Sequence, residues 1–238
     1  MIESPQNEKL KLVRKLRERK QREREDAFVG EGEDLLAAGL AAGAEPRFVL
    51  VAAGSGLAGE EVEPELLASI SALGSGTRAI AVWQRRWAEP GGSPSIYLHG
   101  VGDPGNVGTI VRTAHGLLGG TVVLGPDCAD PFSPKAVRAS MGAIFAQPVA
   151  RAEVDATPAP RAALVAHGGE GLEALAGVRT ICLGAEREGL PAEALAACET
   201  QVTIPLMPGA ESLNVAAVAA ICAEKISSLA MSEAQPDA

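Results

Sequence analysis

Three short stretches of this chain carry more glycine and polar residues than packing requires, and each has a spacing that suits chemistry. The first, DPGNVGTIVRTAHG, runs from Asp103 to Gly116. A Pro/Gly turn leads into a helix, Asn106 stands at its entrance, and Arg112 follows nearly two turns along. Such a helix start offers free backbone N–H groups and a partial positive charge, which favour an anionic group. Spacing alone equally allows Asn106 to be only an N-cap and Arg112 a solvated helix residue. In the second stretch, TICLGAEREGL, an apolar strand ends at Gly184 and is followed by Glu186, Gly189 and Leu190. Ligands of open α/β sheets bind outside the carboxyl ends of strands, so Gly184 is placed for close backbone approach to a flat ligand. The spacing GxExxG lacks the first glycine pair of a dinucleotide fingerprint and no P-loop lysine follows. The plain alternative is that these glycines only turn the chain. The third stretch, Val202 to Ile226, reads as a short strand, a Pro-Gly loop, the cluster Glu211, Ser212 and Asn214, and an Ala-rich helix. Here Ser212 or Asn214 can serve as a simple cap.

These segments need a scaffold of alternating strands and helices. Strands are predicted at Ser95–His99, Thr121–Leu124, Ala162–Ala166, Arg179–Leu183 and Gln201–Ile204. Helices are predicted at Asn106–Leu118, Pro134–Ala139 and Leu213–Leu229. The fold class is therefore α/β, a mostly parallel sheet with helices on both faces. Ahead of it, RRWAEPGGSP (Arg85–Pro94) has linker composition. It divides the chain into residues 1–92 and 93–238. The leading block is a smaller α/β unit. It opens with one basic helix carrying a Leu10, Val13, Leu16 stripe, and Phe28 and Val29 follow as its first buried anchors. A second helix ends at Gly43, then come a strand at Arg47–Ala53, a helix at Pro64–Leu73 and a strand at Arg78–Gln84. The tail after Met231 is expected to fray.

Composition sets the outer bounds. With 238 residues, 47% of them hydrophobic, the chain can bury a substantial core. No apolar run approaches a membrane span, and the start MIESPQNEKLK is not that of an export signal. Cys128, Cys182, Cys198 and Cys222 form no close pair, and His99, His115 and His167 lack ligand spacing. The expectation is a reduced, cytoplasmic protein without a metal. The net charge of −9 hides a strong asymmetry, since residues 8–24 hold nine Lys/Arg against three Glu. A local basic surface can capture phosphates even on an acidic molecule. The candidates for that work are Lys9, Lys11, Arg14, Lys15, Arg17, Arg19, Lys20 and Arg22.

NVGTIVRTA, LGAEREGL and IPLMPGAESLNVAAVAAI, in this order, resemble the three motifs of the SpoU branch of the SPOUT RNA 2′-O-ribose methyltransferases. SPKAVRASMGAIFAQPV is similar to the segment between that family's first two motifs. The leading KLVRKLRERKQREREDAFVGEGEDLL resembles the substrate-binding domain of its ribosomal-RNA members, an α/β fold like certain ribosomal proteins. The resemblance implies a C-terminal trefoil knot that binds S-adenosylmethionine, a homodimer, and an RNA substrate, ribosomal (23S) RNA ahead of tRNA. By motif position it implies that Leu183, Gly184, Ile204, Leu206 and Leu213 form the cofactor pocket. It further implies that Arg112 engages the ribose hydroxyl and its phosphate, that Asn106 and Glu186 fix the local network, and that Ser212 and Asn214 complete the pocket. IPL stands where many relatives have IPM, a volume-conserving change. The competing readings are a noncatalytic RNA-binding or ribosome-assembly protein on the same fold and, more distantly, a dinucleotide-dependent oxidoreductase.

Overall fold

The computed structural model describes residues 1–72 and 76–233. In chain order the elements are α1 (Glu8–Lys15), α2 (Arg19–Glu25), β1 (Ala27–Glu31), α3 (Glu33–Ala41), β2 (Pro46–Ala52), β3 (Glu60–Val62), α4 (Pro64–Ile70) and β4 (Ala79–Gln84). They continue as β5 (Ser95–Leu98), α5 (Pro104–Leu117), β6 (Val122–Leu124), α6 (Pro134–Ala139), β7 (Val149–Arg151), β8 (Arg161–Leu164), β9 (Thr180–Leu183), α7 (Ala192–Ala196), β10 (Thr200–Val202) and α8 (Val215–Glu233). They form two compact units: Met1–Arg86 with Asp130–Ala146, and Trp87–Ala129 with the chain from Gln147 onward.

The first unit is built on a mixed sheet of order β1-β4-β2-β3, with β4 antiparallel to β1 and β2 and β3 parallel to β2. Leu10, Val13 and Leu16 are buried in its core with Val29, Leu50 and Ile80, so the thin apolar stripe packs as its spacing predicts. The single basic helix expected there is instead two. In a continuous helix the carbonyls of Leu16 and Arg17 would accept from the amides four residues on. Here Arg22 Nη1 donates to both at 2.8 Å, which ties off the turn between α1 and α2. Strands β1 and β3 were not foreseen. The first was legible only as the buried anchors Phe28 and Val29, and the second is three residues long. The helix expected to reach Leu73 ends at Ile70, and Leu73 lies outside the described residues, as does the tail from residue 234.

The second unit carries a six-stranded, wholly parallel sheet of order β10-β8-β9-β5-β6-β7. Strands β5 and β9 are buried along their whole length, as expected for interior strands of a parallel sheet flanked by helices. Among the described residues no helix is long and apolar enough to cross a membrane.

The units do not divide at 92/93. Residues 87–92 have a linker's composition, yet their backbone groups are paired within the second unit. Ala88 N–H donates to Val149 O at 2.8 Å, and Gly91 O accepts from Thr121 N–H at 3.0 Å. The segment Asp130–Ala146 in turn packs with the first unit. There Asp130 pairs with Arg22, Phe132 stacks 5.1 Å from Phe28, and Phe145 lies 4.7 Å from Trp83. Contacts between residues so distant in sequence leave no local signal.

Candidate active site

Strands β8, β9 and β10 run parallel, so the segments that follow them emerge at one edge of the sheet. Those segments and the start of α8 enclose a cavity of about 360 Å³ in the second unit. Leu183, Gly184, Ile204, Leu206 and Leu213, the five residues expected to form a cofactor pocket, all line it. Glu186 and Ser212 line it as well. Leu190, named with Gly184 in the second stretch, lines it too, whereas sequence reasoning missed Val215 and Val218 on the apolar wall and Arg187 and Glu188 on the polar side. The helical spacing of Val215 and Val218 was a usable signal.

Three polar residues from three separate segments meet beside this cavity. Asn214 directly precedes α8, and its Oδ1 accepts from the N–H groups of Ala216 and Ala217 at 2.9 and 3.4 Å. Its Nδ2 donates to Asn106 Oδ1 at 3.0 Å, and Asn106 Nδ2 donates to Glu186 Oε1 at 2.6 Å. Asn106 is not the cap of α5. Asp103 holds that place, accepting from Gly105 and Asn106 N–H at 2.7 and 3.1 Å, with Pro104 at the first helical position. The Asn106 amide is thereby free to bridge. Asn214 is a cap and also the anchor of the chain, and each amide has one orientation that satisfies it. Glu186, exposed at the end, retains acceptor capacity for a hydroxyl or amine.

Arg112 does not join this group. Its side chain is exposed, and at about 100° per residue it stands about 120° around α5 from Asn106. Among the described residues it makes no hydrogen bond or ion pair. Gly184 has a specific steric duty. A Cβ there would lie 2.1 Å from the carbonyl carbon of Gly189 and 2.3 Å from the nitrogen of Leu190. The space beside Gly184 is thus filled by the chain's own backbone, which returns through paired Ala185 and Gly189. Cys182, one residue before the cavity wall, is held in its thiol form first by a hydrogen bond with Cys198 and then by burial. That suits packing and not nucleophilic attack.

The basic leading segment lies in the first unit. Lys15, Arg17, Arg19 and Lys20 are exposed, whereas Lys9, Lys11 and Arg14 are half-buried. Lys9 pairs with Glu60, Lys11 with Glu8 and Arg19 with Glu23. Arg22 departs from the expected basic surface. It is 3% exposed, and its Nε donates to Asp130 Oδ2 at 2.7 Å, so it is a core ion-pair residue.

A parallel sheet with an apolar, carboxylate-bearing cavity at its carboxyl edge defines an α/β protein with its cavity where ligands of such sheets bind, beside a chain of hydrogen-bonded polar side chains. Residues 93–224 match the SpoU rRNA methylase family, and residues 7–83 match the MRM3-like substrate binding domain. The chain belongs to the SpoU rRNA methylase family. It is 30% identical over 241 residues to the 23S rRNA (guanosine(2553)-2′-O)-methyltransferase of Bacillus subtilis, covering 92% of this chain and 96% of that protein. An uncharacterized tRNA/rRNA methyltransferase of Mycobacterium bovis is 36% identical over 60% of this chain, which spans only 57% of that relative's length. The AdoMet-bound rRNA methyltransferase of Sinorhizobium meliloti superposes with a TM-score of 0.83 at 26% identity, covering 94% of this chain and 95% of that one.

The cavity's donor set fits S-adenosylmethionine. Leu183, Leu206 and Leu213 give the cavity apolar walls, and Glu186, Glu188 and Glu211 outnumber Arg187, which favours a cationic ligand. Replacing Gly184 with alanine is expected to drive residues 184–190 apart. Calorimetry should then register at least a tenfold loss of adenosylmethionine affinity. Parent-like affinity in that variant would show that the tight return of the chain is dispensable.

Proposed function

We propose that this protein transfers the methyl group of S-adenosylmethionine to a ribose 2′-hydroxyl in RNA, with ribosomal RNA as its substrate. The observation that carries this reading is the hydrogen-bonded chain Asn214, Asn106, Glu186 at the edge of a carboxylate-bearing apolar cavity. When bound, S-adenosylmethionine supplies an electrophilic methyl on a sulfonium. A ribose hydroxyl is a weak nucleophile, so the chain's own residues must align it and ease loss of its proton. Glu186, oriented by Asn106, accepts a hydrogen bond at the cavity rim. Ser212 lines the same cavity and completes its polar side. Arg112 stabilises the developing alkoxide and its neighbouring phosphate as a permanent cation, since a guanidinium does not surrender its proton under ordinary conditions.

Finer features belong to the same proposal. The protein acts as a cytoplasmic homodimer, and a second copy gives the exposed Arg112 a partner site. Met207, 80% exposed in the loop after β10, adds apolar surface for that association. The C-terminal segments around the cavity form a trefoil knot, a topology that general rules for chain threading would not suggest. The first unit, related in fold to ribosomal proteins, binds the RNA through exposed Lys15, Arg17, Arg19 and Lys20.

The deciding experiment incubates the protein with methyl-labelled S-adenosylmethionine and RNA from cells lacking it, then maps ribose methylation. Label at a 2′-oxygen of ribosomal RNA is expected. Label in tRNA alone would change the substrate, and no transfer despite RNA binding would favour a noncatalytic RNA-binding protein.

A further inference from the structure

Helix α6 lies inside the stretch that matches the methylase family, yet it packs with the first unit. Within that unit it borders a second cavity of about 240 Å³. This is below the roughly 300 Å³ at which small-molecule sites usually begin. The walls are apolar, formed by Val29, Leu35 and Val137. The rim carries Lys135 and Arg138, both exposed on α6.

Glu31 also lines the cavity, but its carboxylate is engaged by the chain. The two oxygens accept from Ala72 N–H at 2.9 and 3.0 Å, and Oε2 accepts from Ser71 Oγ at 2.7 Å. These bonds hold residues 71 and 72 in place, and the carboxylate keeps its charge beside the two cations of the rim. The same stretch seats a third cation, because Arg17 Nη2 donates to the carbonyls of Ile70 and Ser71 at 3.0 Å each. The cations that border the recess itself are those of α6, and Arg17 fastens the neighbouring chain at residues 70 and 71.

We infer that this recess is a subsite for a single unpaired nucleobase of the RNA. The ring sits against Val29, Leu35 and Val137, while Lys135 and Arg138 on the rim take the phosphates on either side. Sequence-selective RNA recognition works mainly on unpaired bases, which need an apolar slot for the ring faces and cations for the backbone. A free inorganic anion would make no use of the apolar walls, and a peptide helix needs a longer groove. The inference rests on the reading of the chain as an RNA-modifying enzyme and extends it to where the substrate is gripped.

The test uses the full-length protein, ribosomal RNA from cells lacking it, and three variants. One carries Lys135→Glu with Arg138→Glu. The second, Ala72→Phe, fills the recess from an exposed position whose backbone N–H alone contacts Glu31. The third, Arg138→Gln, is a mild change that serves if charge reversal impairs folding. The first two variants are expected to weaken RNA affinity about tenfold or more, with adenosylmethionine affinity and thermal melting unchanged. Charge reversal should also flatten the salt dependence of binding, and Ala72→Phe should not. RNA affinity within about twofold of the parent in all three variants would overturn the subsite while leaving the methyltransferase reading intact. Unchanged RNA affinity with altered sedimentation would make the recess a contact between copies and would overturn it too. A parent protein that neither binds nor methylates ribosomal RNA would bring down both.

Discussion

Replacing Arg22 with methionine is expected to cost about 3–5 kcal/mol of folding stability, measured as a lowered denaturant midpoint. Arg22 and Asp130 are 3% and 4% exposed, and Nε donates to Oδ2 at 2.7 Å. Removing the guanidinium leaves a buried carboxylate without its counter-charge and also releases the carbonyls of Leu16 and Arg17, which Nη1 holds. The pair joins α2 to the segment Asp130–Ala146, so the loss should reach α6 and the recess beside it. Adding Asp130→Asn removes the stranded charge while keeping an oxygen for Phe132 N–H, which donates to Asp130 Oδ1 at 3.0 Å. The double variant is therefore expected to recover most of the loss. Equal destabilisation in single and double variants would show that the carbonyl contacts, and not the charge, carry the effect.

The same arginine marks the limit of what the sequence reveals. A run of cations beside Leu10, Val13 and Leu16 reads correctly as a helix surface with one apolar stripe, because periodicity is a local property. That Arg22 turns inward is decided by Asp130, far along the chain, and composition cannot express it. The second unit was far more legible. Strands β5, β6, β8 and β9 are short, largely apolar runs, and the parallel sheet follows from their alternation with helices. Strand β7 and helix α7, three and five residues long, were missed. At the site, the motif residues fell into two groups. Asn106, Glu186 and Asn214 meet through hydrogen bonds, and the five expected pocket residues share one cavity. The capping role of Asp103 was readable in DPG, where Pro at the first helical position points to the residue before it. Gly184 was read as room for a ligand, but what fills that room is backbone at 189 and 190. A glycine in sequence announces space and does not name the occupant.

Arg112→Ala is expected to lower methyl-transfer turnover by about 100- to 1,000-fold, the loss typical when one preorganised electrostatic stabiliser is removed. Adenosylmethionine affinity should be unchanged, because Arg112 does not line the cavity. Its place on α5 sharpens this expectation. Within one chain it is exposed and faces about a third of a turn away from Asn106, so the guanidinium is not aligned with the relay of its own copy. A homodimer resolves this if the arginine of one copy serves the cavity of the other. Mixing Arg112→Ala with Glu186→Gln, each inactive alone, then creates dimers with one intact site and one doubly damaged site. Random pairing should restore about one quarter of the parent turnover per site. No recovery after verified subunit exchange would place Arg112 and Glu186 in the same copy, and parent-like turnover in Arg112→Ala would remove the guanidinium from the mechanism.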